Sequence, residues 1–390
     1  MSLTRRHFLT GMAASGAVLL GPFPRGHAQP TDSLPERQFA WNDVLHTDEF
    51  DNVVAPKFDR LLMLDLDGPP SAEHAGRLEE TFRSLEREYD WGPDGLLFVI
   101  GYSEGYFRRW STERSPVPRP RPLATYETSA LDDYDTCLHL AGDHEQRLTA
   151  VEAQVIESLK GVMVHRGTRT GFTGDGLPAE RQAGVGGLPS CCPVHRDAPL
   201  FMGFKSGFRQ NQATEDAVAI PDGPFAEGTT MQVSELRYRL DGWYAGLDQE
   251  DRVDLMFAPQ MDQADVDAIT DEAPTFADEI RQTARNHGLI GHLQASAQAR
   301  RDGKPIMLRR DFNTTDENHA GLHFVSLQRD IQDFVDTRLA MNASEMMNEN
   351  ASVKPRVNNG IKEFFVARRR ANYLVPPRSH RSLPFLDDNG

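Results

Sequence analysis

Three stretches of the chain concentrate side chains that can carry chemistry. Residues 203–211 read GFKSGFRQN, in which a lysine, a serine and an arginine lie among glycines and phenylalanines. His292 is followed 17 residues later by Arg309, and the next residue is Arg310. Residues 321–330 read GLHFVSLQRD. An imidazole can bind a metal or move a proton near neutral pH, and a guanidinium is a permanent cation that stabilises negative charge.

Each of these residues also has an ordinary structural explanation. Because the chain has 13 histidines, His292 could be a core or surface residue without a ligand. Arg309 and Arg310 could form the solvated edge of a strand. Ser206 could lie in a plain turn in which the neighbouring glycines supply positive φ angles. The functional interpretation therefore depends on the three stretches occurring together.

The first half of the chain predicts two β-α-β segments that position these stretches. Residues 58–67 predict a strand, Ser71 caps a helix whose apolar residues recur every three or four positions, and residues 95–101 predict a buried strand. Residues 136–141, 144–160 and 162–167 predict a second strand, helix and strand. This order is the ferredoxin-like arrangement.

The second half repeats the pattern after an irregular segment rich in glycine and proline. It predicts strands at 229–240, 306–312, 321–328 and 364–375, helices at 243–257 and 330–341, and a polar loop at 342–360. The fold class predicted is α+β, with tandem ferredoxin-like units. We expect a first unit at 29–168, an irregular insert with the GFKSG motif at 169–228, and a second unit at 229–390.

The N-terminus predicts export through the twin-arginine (Tat) pathway. Arg5 and Arg6 precede an uncharged stretch from Phe8 to Phe23, and small residues around Ala28 offer a cleavage site. Residues 1–28 are therefore predicted to be a Tat signal peptide, with the Tat translocase as a partner and a periplasmic, cell-surface or extracellular location. The alternative is an accidental arginine pair before an apolar helix.

Composition excludes some classes of function. The net charge of −16 argues against nucleic acid as a partner, because phosphate binding requires a basic face. Three cysteines cannot make a disulfide framework, so the fold must rest on the packing of a chain that is 39% hydrophobic.

Together with GLLFVIGYSEGYF at residues 95–107, the three stretches resemble the dye-decolourising (DyP-type) peroxidases, a haem family built from two ferredoxin-like units. The resemblance runs from about residue 58 to the C-terminus. It implies a barrel-like α+β fold of the DyP type and haem b as cofactor. It also implies hydrogen peroxide as substrate and oxidation of an unknown small-molecule electron donor. The oligomeric state stays open, with a homo-oligomer as one alternative.

The resemblance also assigns residues. It implies that His292 is the ligand of the haem iron and that Arg309 is the arginine beside the peroxide. Arg310 is one residue further along, but Arg309 follows the Met-Leu pair as the family's arginine does. The residues expected at the haem are completed by Phe204, Ser206, Gly207, Phe208, Asn211 and, as an acid behind His292, Glu345.

Ser206 occupies the position at which the family has an aspartate. A hydroxyl has no useful acid–base pKa near neutrality, although it can order a water molecule that relays a proton. Peroxidase turnover is therefore one expectation. A haem-binding or haem-handling protein without turnover is a second, and an exported protein that kept the fold but lost the cofactor is a third.

Two further groups of residues stay open as sites. His319 and His323 are four residues apart, as in a helical metal pair, but Gly321 lies between them and a strand is predicted there. Cys191, Cys192 and His195 could form a soft-metal site or a second contact to haem, or could belong to an ordinary loop. They do not match the Cys-x-x-Cys-His pattern of covalently attached haem.

Overall fold

The computed structural model describes residues 34–111, 114–189, 194–261 and 279–384. The predicted signal peptide, Cys191 and Cys192 lie outside the described residues. No helix within the described ranges is both long and apolar enough to cross a membrane.

The fold is mixed α+β and is built around a closed sheet. The strands are β1 Phe58–Leu66, β2 Leu97–Ser103, β3 Ala130–Leu131, β4 Thr136–Gly142, β5 Met163–Phe172, β6 Thr229–Tyr238, β7 Arg300–Arg301, β8 Lys304–Pro305, β9 Leu308–Arg309, β10 Phe312–Thr314, β11 Gly321–Gln328 and β12 Phe365–Val375.

Eight of these strands close into an antiparallel barrel in the order β10-β5-β1-β4-β2-β12-β6-β11, with β11 pairing back to β10. Four neighbouring strands, β5-β1-β4-β2, come from the first half of the chain, and β12-β6-β11-β10 come from the second half. Both sets have the order 4-1-3-2 when numbered within their own half, which is the ferredoxin-like arrangement predicted from the sequence. The fold class is therefore confirmed, whereas the boundaries placed at residues 168 and 228 stay predictions.

Helices cover the outside of the barrel. They are α1 Ala72–Glu88, α2 Glu104–Trp110, α3 Glu145–Ser158, α4 Leu177–Glu180, α5 Glu215–Val218, α6 Asp241–Ala245, α7 Gln249–Met256, α8 Ile280–His287, α9 His292–Ser296 and α10 Ile331–Asn342. Short 3-10 turns lie at Asn42–Val44, Arg209–Asn211, Asp316–Asn318, Ser344–Asn348, Lys362–Phe364 and Arg378–His380.

The apolar strands are buried on both faces. On β1, Leu61 and Met63 pack in the barrel interior, while Leu62 and Leu64 pack outwards with the residues of α1 and α3. A strand buried on both sides must be apolar throughout, which explains the continuous hydrophobic runs in the sequence. Ser71 caps α1 as predicted, since its Oγ accepts a hydrogen bond from the backbone N–H of His74 at 3.2 Å.

Two predicted elements are divided in the structure. The helix expected at 243–257 is two helices, α6 and α7, because α6 ends at Gly246 and Asp248 starts a new helix by capping the N–H of Asp251. The strand expected at 306–312 is interrupted between β9 and β10. That interruption includes Arg310 and Asp311.

Candidate active site

A cavity lies on the outer face of the second half of the sheet. Leu236 on β6, Phe324 on β11 and Phe365 on β12 line one side, and residues of α9, α10 and the loop at 200–211 line the other. The empty space between them, including its opening to solvent, is about 1220 Å³. The cavity is therefore enclosed by elements from the irregular insert and from the second ferredoxin-like unit.

The structure brings six of the predicted residues to this cavity: Phe204, Ser206, Phe208, Asn211, His292 and Arg309. Gly207 does not line it, but lies within the same loop with φ +85°, where a glycine avoids the strain of a side chain. The GFKSG segment, the histidine and the arginine therefore meet at one place, as expected from the sequence.

Two glycines fix the position of His292. A Cβ atom on Gly291, the residue before it, would lie 1.9 Å from the carbonyl oxygen of Phe257, so the start of α9 packs closer to α7 than any other residue would allow. Gly360, with φ +58°, packs directly against the backbone of His292 on another side. The histidine is thus held on its backbone side while its ring lines the cavity.

The environment of His292 keeps its ring neutral. Burial, followed by the nearby basic side chains of Arg309, Lys362 and Arg338, lowers the pKa of His292 from 6.5 to about 3. No described residue forms a hydrogen bond with the ring. A neutral imidazole with unused nitrogens is the form in which histidine binds a metal.

Arg309 is a fixed cation in the same cavity. Its Nη2 donates to Asn211 Oδ1 at 2.8 Å, and its backbone N–H donates to Gln212 Oε1 at 2.8 Å. Its buried Nε–H has no hydrogen-bond partner within the described part of the chain. Burial lowers the pKa of Arg309, which Asp311 partly offsets, but a guanidinium remains charged near neutrality.

Asp311 is a site residue that the sequence interpretation missed. It lines the cavity, and Ser206 donates a hydrogen bond from Oγ to Asp311 Oδ1 at 3.3 Å. Burial raises the pKa of the Asp311 carboxyl, while Arg309 and then Ser206 act to lower it. The signal was the strand alternation at 309–311, which puts the first and third residues on one face.

The cavity also has a cationic region formed by Arg338 and Arg370, with the amine of Lys362 near Arg338. Glu127 accepts hydrogen bonds from Arg338 Nη2 at 2.7 Å and Arg370 Nη2 at 2.9 Å, so it balances only part of the charge. Lys362 Nζ donates to the carbonyl oxygen of Met341, and burial lowers the pKa of Lys362 from 10.5 to about 6. This region suits an anionic group of a ligand.

Glu345 does not lie at the cavity, which corrects the expectation of an acid behind His292. It belongs to the 3-10 turn at Ser344–Asn348, its side chain is 75% exposed, and it pairs with Arg281. The turn directs it to solvent rather than towards α9. Gly360, rather than an acidic residue, packs against the backbone of His292.

The other histidines that the sequence singles out do not line the cavity. His323 Nε2 pairs with Asp316 Oδ2 at 3.0 Å, and His319 Nδ1 lies 2.9 Å from the carbonyl oxygen of Ala320. His195 is exposed beside Asp197 and does not line the cavity. Among the described residues, no group of three or more His, Cys, Asp or Glu side chains could hold a metal ion.

The fold is similar to that of solved DyP-type peroxidases. A putative DyP-type peroxidase from Shewanella oneidensis is 15% identical with a TM-score of 0.59, and the match covers 86% of this chain and 97% of that one. The encapsulated DyP-type peroxidase from Mycobacterium smegmatis is 13% identical with a TM-score of 0.59, covering 87% and 98% of the two chains. A DypB variant from Rhodococcus jostii RHA1 in complex with haem is 13% identical with a TM-score of 0.56, covering 84% and 95%.

Sequence comparison identifies the family. No curated protein matches the chain. A family model described as a family of unknown function, DUF7405, matches residues 56–377, which include the whole barrel and every residue of the cavity. The chain belongs to this family, DUF7405.

Proposed function

We propose that this protein is a haem-dependent, peroxidase-like oxidoreductase that uses hydrogen peroxide to oxidise a small-molecule donor. The observation that carries the proposal is that the buried cation Arg309 and a neutral His292, whose ring forms no hydrogen bond with any described residue, line the same cavity. The likeness of the fold to peroxidases, one of which was solved with haem, supports it.

The residues of the cavity fit haem b. His292 would bind the iron through a ring nitrogen, and Phe204 and Phe208 would pack against the ring system. Haem carries carboxylates, for which Arg370 is suited because its buried Nε–H has no partner among the described residues. Cys137 is buried in the barrel interior, away from this cavity, so the attachment proposed is non-covalent.

The chain's own residues would act on peroxide. When bound, haem would supply the two electrons that cleave the O–O bond. Arg309 would stabilise the negative charge that develops on the peroxide oxygen, and it needs little reorganisation because Asn211 already holds its guanidinium. Ser206 would order a water molecule or the peroxide in the same space.

The cellular setting is part of the proposal. Arg5 and Arg6 before the apolar segment support export through the Tat translocase to a periplasmic, cell-surface or extracellular location. The electron donor is a small molecule and the protein self-associates as a homo-oligomer. The location is tested by cell fractionation of a twin-lysine variant, Arg5→Lys with Arg6→Lys. The oligomeric state is tested by the mass of the purified protein in solution.

A second candidate function is haem binding without turnover. Ser206 favours it, because a hydroxyl at this position cannot take up a proton from peroxide near neutral pH. The two candidates differ in one property, since the binding protein holds haem but does not react with peroxide.

The test begins with haem titration of the purified protein. We expect a Soret band in the wild type that is lost or shifted in His292→Ala, and no change in the matched control His195→Ala, whose ring is exposed. Peroxide is then added with a dye as donor, and Arg309→Leu is expected to slow the reaction about 100-fold. If the wild type, His292→Ala and His195→Ala all lack a Soret band after haem is added, haem binding is refuted. Haem binding without a reaction with peroxide would favour the second candidate.

A further inference from the structure

The segment Leu308–Phe312 alternates between the barrel interior and the cavity. Leu308 and Phe312 belong to the interior cluster, and Arg310 is buried against Glu215 at 3.0 Å. Arg309 and Asp311, between them, line the cavity. One short stretch of extended chain therefore presents a cation and a carboxylate side by side to the same space.

Asp311 is the sole carboxylate among the described residues that line the cavity. The other ionisable groups there are cations, His292 and Tyr238, whose pKa burial raises well above its usual range. Lys205 also lines the cavity but is paired with Asp48. The Lys362 amine is engaged by the carbonyl oxygen of Met341 and by Asn359 Oδ1. Asp311 is therefore the carboxylate that can take a proton from a substrate beside Arg309 and Ser206.

We propose that Asp311, hydrogen-bonded to Ser206, is the acid–base catalyst for peroxide in this cavity, an inference that rests on the proposed function. The carboxylate is supplied by the segment between β9 and β10, two residues after Arg309, so the site has a base although the GFKSG loop carries a serine. Ser206 orients the carboxylate through its Oγ, at 3.3 Å from Oδ1.

The proton transfer balances within these groups. Hydrogen peroxide gives one proton to the Asp311 carboxylate, which leaves a hydroperoxide anion beside the Arg309 guanidinium, and no electron moves in this step. The resulting carboxylic acid is then the donor of that proton to the outer oxygen, which departs as water. The two electrons for the O–O cleavage would be supplied by the haem of the proposed function.

Four groups act on the charge of Asp311. Arg309 and Ser206 stabilise the carboxylate, whereas burial disfavours it. The buried Asp59 carboxyl and Tyr238 are also close enough to interact with it electrostatically. Since burial is the largest of these influences, the pKa of the Asp311 carboxyl is raised above its ordinary value.

The first test is Asp311→Asn, with Asp336→Asn on the exposed face of α10 as the matched control. We expect Asp311→Asn to keep the Soret band and to slow the peroxide reaction about 100-fold or more, since acid–base groups contribute on that scale. The acid limb of the rate against pH, which reports protonation of Asp311, should disappear. Asp336→Asn should behave as the wild type.

A second readout does not depend on turnover. Hydrogen cyanide must lose its proton as it binds to haem iron, so a base in the cavity speeds its association. We expect cyanide association to be about tenfold slower or more in Asp311→Asn than in the wild type. A carboxylate that served only as a counter-ion to Arg309 would leave this rate unchanged.

Restoring a carboxylate from the loop completes the test. The double variant Ser206→Asp, Asp311→Ser should recover most of the rate of the peroxide reaction and of cyanide association. If Asp311→Asn does not bind haem, the double variant serves as the test in its place. Asp311→Asn with an intact Soret band and rates within about threefold of the wild type would overturn the inference. A double variant that holds haem but does not react would also overturn it, whereas a wild type without a Soret band would refute the proposed function instead.

Discussion

Replacing Gly360 with alanine tests whether the backbone beside His292 sets the position of that histidine. At φ +58° the backbone of Gly360 is left-handed, a conformation that costs a residue with a side chain about 1–2 kcal/mol. The new Cβ would lie 3.1 Å from His292 Cα and 3.2 Å from its Cβ, inside ordinary contact. His292 must therefore move by a few tenths of an ångström. Because metal ligands must be held to within about 0.5 Å, we expect about a tenfold loss of haem affinity.

Gly303→Ala is the matched control for this change. Gly303 has φ +75°, also positive, but no atom outside its chain neighbours lies within 4 Å of a Cβ built there. Urea unfolding of the two apoproteins should therefore show a similar backbone cost, of about 1–2 kcal/mol. Haem titration should separate them, because only Gly360→Ala crowds His292. Equal haem affinity in the two variants would refute the reasoning.

Three further substitutions probe the surroundings of the cavity. Lys362→Met should remove a pH dependence of about 1.4 kcal/mol per pH unit from apoprotein stability between pH 7 and 9. In that range Lys362 is protonated in the unfolded chain but not in the folded protein, so the stability of the wild type rises with pH. If urea unfolding gives the same slope of unfolding free energy against pH for the wild type and Lys362→Met, this prediction is contradicted. Arg310→Met should lower the unfolding free energy by about 3 kcal/mol, because it leaves the Glu215 carboxylate buried without its cation, and a loss below about 1 kcal/mol would be inconsistent with that burial. Glu345→Gln should leave haem affinity within about twofold of the wild type, because the Glu345 side chain lies in solvent. A larger change of haem affinity in the titration would show that Glu345 acts on the haem site.

The sequence predicts most of the fold because the strands and the long helices carry their own patterns. Leu78, Phe82 and Leu85 follow the helical repeat, and all three are fully buried. The divided helix at 243–257 shows the limit of that approach. Gly246 is a typical helix end and Asp248 a typical helix start, and both lie within the segment. Apolar periodicity alone does not detect such a break between two helices.

The site was only partly predictable. Motifs indicate His292 and Arg309. The alternation along an extended chain puts Asp311 on the same face as Arg309, but alternation alone does not mark a carboxylate as functional. Gly360 carries no local signal, because it meets His292 only through the pairing of Ile290 with Asn359, residues that are distant in sequence. Glu345 was misplaced for the related reason that spacing along the chain does not tell which way a 3-10 turn directs its side chain.

The role proposed for Asp311 depends on how the barrel interior holds the segment that carries it. Arg310 is held by Glu215 and by a backbone hydrogen bond to Val325 of 2.7 Å, so the residues on either side of it have little freedom. Residues two apart in an extended chain have Cα atoms about 6.6 Å apart and lie on the same face, so Arg309 and Asp311 both line the cavity. The interior ion pair therefore holds the segment that carries both charges. In the proposed mechanism, Ser206 needs only to orient the Asp311 carboxylate.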